Sequence, residues 1–172
     1  MKDNQGFTLI ELIVVMLIVG VLSAGSIFGA NILGLGSAKS TVDRISTMLN
    51  YVQVENMTKS ETYYLVIEKS TTDNNYYLSV YRGSNPISSE KLKLTRGEIT
   101  FQIEGNPTQF LISDVAVEGR EWRDKLEVCF SKDTGGVSEN TLSETVVQIG
   151  VSAAGSSYTI HLVTITGKHY ID

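Results

Sequence analysis

A long charge-free apolar segment near the N-terminus constrains the fold of this chain more than any other feature. Residues 12–38 contain no charged side chain, and residues 12–22 are almost all strongly apolar. A helix needs about 20 apolar residues to cross the core of a bilayer. Residues 7–28 meet that length and contain one acidic residue, Glu11. The segment predicts a membrane-spanning helix with a carboxylate close to its start.

A carboxylate in such a segment is costly unless it has a cationic partner. An ionised side chain deep in a bilayer costs about 2.5–3.5 kcal/mol on insertion scales. The next cation along the chain is Lys39, more than about 30 Å away at the rise of an α-helix. Cleavage between Gly6 and Phe7 would instead create an amine one helical turn before Glu11. A neighbouring helix, offset along its axis, could bring its own amine to this carboxylate and so set the stagger between subunits.

Two simpler interpretations are a plain single-pass anchor and a secretory signal peptide. A signal peptide has a basic start, a shorter apolar core and small residues around its cleavage site. Here Lys2 is offset by Asp3, and the best cleavage site has Leu22 where a small residue is expected. Neither interpretation explains the presence of Glu11.

The string GFTLIEL at residues 6–12, preceded by a short polar leader, resembles the processing site of type IV pilins and type II secretion pseudopilins. The resemblance implies that a prepilin peptidase cuts between Gly6 and Phe7 and methylates the new amine of Phe7. It implies that Glu11 then guides the docking of the subunit into a filament. The neighbouring residues that would share this assembly surface are Thr8, Leu9, Ile10 and Leu12.

The resemblance also implies a domain organisation and a set of partners. Residues 1–6 form the leader, residues 7–36 the transmembrane and filament-core helix, and residues 37–172 the second half of that helix with the head. The precursor is expected to be a single-pass protein of the cytoplasmic (inner) membrane with an extracytoplasmic head, which later enters a surface or periplasmic filament. Its partners would be the peptidase, other pilin or pseudopilin subunits, and an inner-membrane assembly platform with a separate ATPase. Pilus, secretion and DNA-uptake machines share this signal, so the choice among them stays open.

Beyond the apolar segment, the spacing of apolar residues predicts first a helix and then strands. Over residues 38–57 they recur at steps of three and four, which predicts an amphipathic helix. The apolar face consists of Ala38, Val42, Ile45, Leu49 and Val52. Alternating patterns then predict strands at residues 62–68, 76–82, 98–104, 126–130, 147–151 and 158–162. Turns rich in Gly, Asn and Asp separate them.

These elements predict an α+β fold. A long N-terminal α-helix, with a transmembrane half and an amphipathic half, packs on an antiparallel β-rich globular head. In the fifth strand Val147, Ile149 and Val151 are expected to face the core. The last strand and the turn at residues 166–168 also resemble, more weakly, the end of H-type and FimT-like minor pseudopilins. A competence pseudopilin or a minor pilin is an equally compatible subtype.

Charge and composition argue against several functional classes. The net charge is −5 and the 14 basic residues are scattered, whereas nucleic-acid affinity requires clustered cations. Cys129 is the single cysteine, so no intrachain disulfide forms and a half-buried apolar role is expected. An intermolecular bridge or a reactive thiol is the alternative. His161 and His169 lack the spacing of zinc ligands. Without a GxSxG elbow or a phosphate-binding loop, no catalytic residue, metal or cofactor is predicted, and the chain is not expected to be an enzyme.

Two rival functions remain open at the level of sequence. A membrane-anchored adhesin or DNA-binding module would present an aromatic or a cationic patch on the head. The aromatic candidates are Tyr63, Tyr64, Tyr76, Tyr77 and Tyr81, and the cationic ones are Lys91, Lys93 and Arg96. An anchored hydrolase would have to bring His161 or His169 together with a serine and an acid.

Overall fold

The computed structural model of the chain describes residues 9–94, 96–112, 125–139 and 145–172. The chain divides into two units, Met1–Leu33 and Gly34–Asp172. All strands of the described residues lie in the second unit, where they form two antiparallel sheets beside helical residues. The α+β class predicted from the sequence is confirmed.

Helix α1, Leu9–Thr58, contributes residues to both units. In the second unit one face of this helix is buried, at positions three and four residues apart. The five predicted core residues, Ala38, Val42, Ile45, Leu49 and Val52, are each at most 1% exposed. The predicted amphipathic face is therefore confirmed, and it is this face that joins the helix to the head.

Within the part of the chain that the structure describes, no helix combines the length and hydropathy that a membrane span requires. The predicted segment, residues 7–28, includes residues 7 and 8, which lie outside the described residues. The side chains of residues 20–36 are not described either.

Ten strands follow α1 in the described residues. They are β1 Tyr63–Lys69, β2 Tyr76–Arg82, β3 Asn85–Lys91, β4 Gly97–Ile103, β5 Phe110–Leu111, β6 Lys125–Phe130, β7 Val137–Ser138, β8 Val146–Ala153, β9 Ser156–Leu162 and β10 His169–Ile171. One sheet, here sheet A, has the order β3-β2-β1-β6-β7, and the other, sheet B, has the order β10-β9-β8-β4-β5. Most consecutive strands pair as hairpins. The pairs β1–β6 and β4–β8 join strands that are further apart in the sequence.

Both sheets and α1 surround one continuous apolar core. Sheet A contributes Leu65 and Ile67 from β1, and sheet B contributes Ile149 and Ile160 from its central strands. Each of these side chains is fully buried, and burying a side chain of this size contributes about 1.5–3 kcal/mol. Since Cys129 is unpaired, the head is held together by packing and hydrogen bonds in the described residues.

The inward-facing pattern predicted for β8 is only partly correct. Ile149 and Val151 are fully buried as expected, but Val147 is half-buried and Val146 takes the inward position. The register between β4 and β8 shifts beside Ile103, where a bulge occurs. A bulge adds one residue to one strand and so reverses the side-chain alternation beyond it. The prediction that Val147 faces the core was therefore wrong, because the bulge reverses the alternation at this end of β8.

Three hairpin turns of the head share one hydrogen-bond pattern. In each turn the N–H of a residue with positive φ donates to the carbonyl oxygen four residues earlier, at 2.7–3.0 Å. The donor and acceptor residues are Asn74 and Ser70, Gly135 and Ser131, and Gly167 and Val163. Positive φ is favourable for Gly and tolerable for Asn, which explains the residue types that close these turns.

Two of these turns meet helix α1 at a single side chain. The Nε2 atom of Gln53 donates to the carbonyl oxygen of Gly135 at 2.7 Å and to that of Thr166 at 3.0 Å. The N–H of Val137 donates to the carbonyl oxygen of Thr164 at 2.8 Å. The turn at Gly135 belongs to sheet A, and the turn at Thr166 belongs to sheet B. This junction therefore fastens both sheets to the helix.

Polar contacts hold α1 to the head at three further points. The buried Asn56 side chain both donates to the carbonyl of Tyr63 and accepts from its N–H, each at 2.8 Å. Arg44 forms a two-point ion pair with Glu90 of the edge strand β3. On the sheet B side, the Ser46 hydroxyl lies 2.8 Å from Nε2 of His169. The helix is thus tied to the edge strands of both sheets.

Substituting Thr41 by valine is expected to stabilise the head. Thr41 is 2% exposed, and its hydroxyl has no hydrogen-bond partner among the described residues. An unsatisfied buried hydroxyl costs about 1–3 kcal/mol, and valine keeps the shape of threonine. We expect Thr41→Val to raise the melting temperature of the full chain in detergent by about 3 °C, measured by circular dichroism.

Thr47 provides the matched control for this substitution. It lies on the same helix, is exposed, and its hydroxyl donates to the carbonyl of Asp43 at 2.8 Å. Thr47→Val removes a satisfied hydroxyl and should not stabilise. A melting temperature that is unchanged or lower for Thr41→Val would contradict the expected gain.

Candidate functional site

The residues predicted to guide processing and assembly lie around the start of α1. Gly6, Phe7 and Thr8 fall outside the described residues. Leu9, Ile10, Glu11 and Leu12 form the beginning of the helix. Helical backbone follows the predicted cleavage site within two residues of Phe7.

The first turns of α1 expose an unusually large apolar surface. Every large apolar side chain from Leu9 to Val19 is at least 50% exposed, and Leu9 is 78% exposed. The apolar residues occupy all sides of the helix, whereas a surface helix of a soluble protein has one apolar stripe. A helix of this kind needs a partner surface that is itself apolar, either lipid or other helices.

Glu11 is exposed and is the acidic residue in the first turn of α1. Within residues 9–38 it is the one charged side chain. Among residues 9–19 it is also the one polar side chain, so it marks a single charged point on an otherwise apolar surface.

The two histidines occupy different environments. The Nε2 atom of His169 lies 2.8 Å from the hydroxyl and 3.2 Å from the carbonyl oxygen of Ser46. Its Nδ1 atom is buried without a hydrogen-bond partner among the described residues. His161 stacks on Tyr170 at 4.8 Å between ring centroids, and its Nε2 atom lies 3.4 Å from a carboxylate oxygen of Asp172.

These contacts do not assemble a hydrolytic triad in the described residues. A triad requires an acid that orients the histidine through the nitrogen opposite the serine, and at His169 that nitrogen, Nδ1, meets no carboxylate in this part of the chain. The described residues also contain no cluster of three or more potential metal ligands. The Ser46–His169 contact instead joins β10 to α1, and no sequence signal pointed to it because the two residues are 123 positions apart.

Cys129 lies on β6 and is buried, more deeply than the half-buried position expected from the sequence. Its sulfur donates toward the carbonyl oxygen of Tyr63 at 3.6 Å. Burial raises the pKa of the Cys129 thiol, because the charged thiolate is disfavoured away from water. The thiol therefore behaves as a small apolar side chain and not as a nucleophile.

The candidate patches of the rival binding functions are divided between core and surface. Tyr63 and Tyr76 are at most 6% exposed and belong to the core. Tyr64, Tyr77 and Tyr81 are half-buried on the opposite face of sheet A, where Tyr64 and Tyr81 are direct cross-strand neighbours.

The cationic candidates do not act as three free charges. Lys91 lies 3.4 Å from a carboxylate oxygen of Asp73. Hydrogen bonds from Asn75, Ser70 and Tyr77 hold the pKa of Asp73 well below its usual range, so this partner is ionised at neutral pH. The local charge is therefore partly compensated, which does not favour a nucleic-acid site.

The N-terminal segment matches a family model, the prokaryotic N-terminal methylation motif, over residues 1–27. This motif is the signal of type IV pilins and pseudopilins, so the resemblance noted in the sequence is confirmed for this segment. No curated protein and no solved structure matches the chain.

Proposed function

We propose that this chain is a structural subunit, a pilin or minor pseudopilin, that a prepilin peptidase processes between Gly6 and Phe7. The mature subunit, methylated on Phe7, assembles through its N-terminal helix into a type IV pilus-like filament. The filament serves secretion, DNA uptake or adhesion. The observation that carries this proposal is the coincidence of the methylation motif at residues 1–27 with an exposed, all-round apolar stretch of helix, residues 9–19, that bears a single carboxylate.

The proposed assembly step exchanges one apolar environment for another. The precursor is held in the cytoplasmic membrane by residues 7–36, and after cleavage this helix leaves the lipid for a bundle of like helices. Such a transfer gains little from the hydrophobic effect, because lipid tails are as apolar as the helices. Specificity then has to come from packing of Leu9, Ile10 and Leu12 and from pairing of Glu11 with the new amine of an adjoining subunit.

The proposal places the head outside the cytoplasmic membrane and on the surface of the filament. It requires a peptidase, further subunits of the same kind, and an assembly platform with its own ATPase. Within the second unit, polar junctions hold α1 to β3 and β10.

Replacing Gly6 by leucine is expected to block processing. A bulky side chain next to the cleaved bond should prevent the peptide from entering the active site of the peptidase. In cells that carry the peptidase, mass spectrometry of the wild-type protein should give an N-terminus at Phe7 with one added methyl group. The Gly6→Leu protein should retain residues 1–6 and stay in the membrane fraction.

Gly20→Leu is the control, because it makes the same change at a glycine within the same matched motif, residues 1–27, but away from the cleaved bond. This variant should be processed like the wild type. A wild-type protein that keeps its initiator methionine, or that begins after a conventional signal-peptide site, would overturn the proposed processing.

A further inference from the structure

A pocket on the outer face of sheet A has the composition of a ligand site. Its volume is about 360 Å³, at the lower end of the range for pockets that hold one small molecule. Tyr64 and Tyr81 line it beside the turn at Gly83 and Ser84. None of these residues belongs to the segment that the proposed function uses, so the pocket is an independent feature of the head.

The strand register explains why the two tyrosines meet here. Tyr64 of β1 is paired directly with Tyr81 of β2, and side chains opposite each other on neighbouring strands lie about 4.5–5.5 Å apart at their Cβ atoms. Val66, which is 4% exposed, lines the same pocket and is paired with Glu127 of β6. Aromatic and aliphatic groups therefore lie next to a polar group in one pocket.

The polar part of the pocket is an ion pair. Glu127 is 8% exposed, and its carboxylate accepts a hydrogen bond from the ammonium group of Lys125 at 2.5 Å. Together the two side chains have no net charge, but they offer acceptor and donor groups side by side. Burial, and then the nearby Cys129 and Glu127, raise the pKa of Tyr64, so its phenol stays neutral and can donate a hydrogen bond.

The tyrosine rings and the ion pair limit the chemical class of ligand that this pocket can bind. A cationic ligand would have to displace Lys125 from Glu127, and an anionic ligand would face the buried carboxylate of Glu127. A neutral ligand avoids both costs. It has to combine an apolar face for the tyrosine rings with hydroxyl groups for the ion pair, and pyranose sugars have this combination.

We propose that this pocket binds one neutral pyranose unit of a saccharide. The C–H face of the sugar packs on Tyr64 and Tyr81, and its hydroxyl groups bond with Lys125, Glu127 and the Ser84 hydroxyl. Affinity is in the millimolar range for a single sugar, as expected for a small and open site. On a filament that displays many heads, such weak sites gain avidity by repetition.

The test uses the full chain in micelles of a polyoxyethylene detergent, whose headgroup is neither a sugar nor an amine. The probes are the methyl glycosides of glucose, galactose, mannose and N-acetylglucosamine, with tetramethylammonium and inorganic phosphate as charged comparisons. Saturation-transfer NMR should show contact with the C–H protons of at least one sugar. Amide shifts should change near Tyr64, Tyr81 and Gly83.

Tyr81→Leu keeps an apolar side chain on the strand but removes the aromatic ring, and should weaken sugar binding roughly tenfold. Tyr77→Leu is the matched control. Tyr77 lies on the same strand and the same face, but it bonds with Asp73 and does not line the pocket. Unchanged circular dichroism verifies that both variants are folded.

Three results would overturn the proposal. The first is that no glycoside binds at millimolar concentrations. The second is that tetramethylammonium or phosphate binds more strongly than every sugar. The third is that the Tyr81→Leu and Tyr77→Leu variants bind sugar equally well. None of them bears on cleavage at Gly6, so the pocket and the filament role can fail separately.

Discussion

An alanine at Gly167 is expected to lower the free energy of unfolding of the head by about 2–5 kcal/mol, as the sum of two effects. The φ angle of Gly167 is +64°, where a residue with a Cβ loses about 1–2 kcal/mol. A Cβ there would also overlap the carbonyl oxygen of Gly135 and the side-chain amide of Gln53. These atoms form the junction that fastens both sheets to α1, so they cannot move freely, and overpacking of this kind costs about 1–3 kcal/mol. Urea denaturation of the full chain in detergent, followed by circular dichroism, measures the loss.

Gly83 provides the matched control for this backbone position. Its φ angle is +56°, close to that of Gly167, but a Cβ at Gly83 would meet no atom within 4 Å. Gly83→Ala therefore tests the conformational effect alone and should cost about 1–2 kcal/mol. Equal losses for the two variants would mean that close packing at the Gln53 junction contributes nothing measurable.

The elements that bury one face were predictable from the sequence, because their buried apolar residues recur with the spacing of a helix or of a strand. The helix face from Ala38 to Val52 and the alternating residues of β4 and β6 were identified in this way. The turn that ends at Gly167 was also predicted, since positive φ demands a restricted set of residues. These signals are local, and each one can be read within a few residues.

Strand β3, Asn85–Lys91, was not predicted because it buries almost nothing. Six of its seven residues are exposed, so no alternation distinguishes it from a loop. It contains Pro86, which is tolerated on an edge strand because one side of the strand carries no partner. Its pairing with β2 and the contact of Glu90 with Arg44 hold it in place. Edge strands of this kind depend on partners that are distant in sequence.

The two candidate sites, the N-terminal processing segment and the pocket on sheet A, also differ in how far the sequence alone predicts them. Glu11 and the cleavage site are encoded in one short string, so the sequence alone pointed to them. The pocket depends on the pairing of Tyr64 with Tyr81 and on the proximity of Glu127, which only the strand register brings together. The sequence identified the tyrosines as candidates, but not which two of the five would share a pocket.

Replacing Glu11 by valine is expected to abolish filament incorporation while leaving membrane insertion and cleavage intact. Valine makes the segment more apolar, so insertion should not suffer. In the assembled state the amine of an adjoining subunit would lose its counter-ion, and removing one partner of a buried ion pair costs about 3–5 kcal/mol. That loss corresponds to a roughly 10²–10⁴-fold weaker contact per subunit. Immunoblots of sheared filament fractions should contain less than about one per cent of the wild-type amount.

Asp43 is the matched control, since it is an exposed carboxylate on the same helix but lies outside the apolar segment. Asp43→Val removes one negative charge at a position that needs no buried partner, so this variant should enter filaments normally. Glu11→Asp retains the charge on a shorter side chain and should recover part of the incorporation. If Glu11→Val subunits were processed and then incorporated at the wild-type level, pairing of this carboxylate with the new amine could not set the stagger. The specificity of assembly would then have to come from helix packing alone.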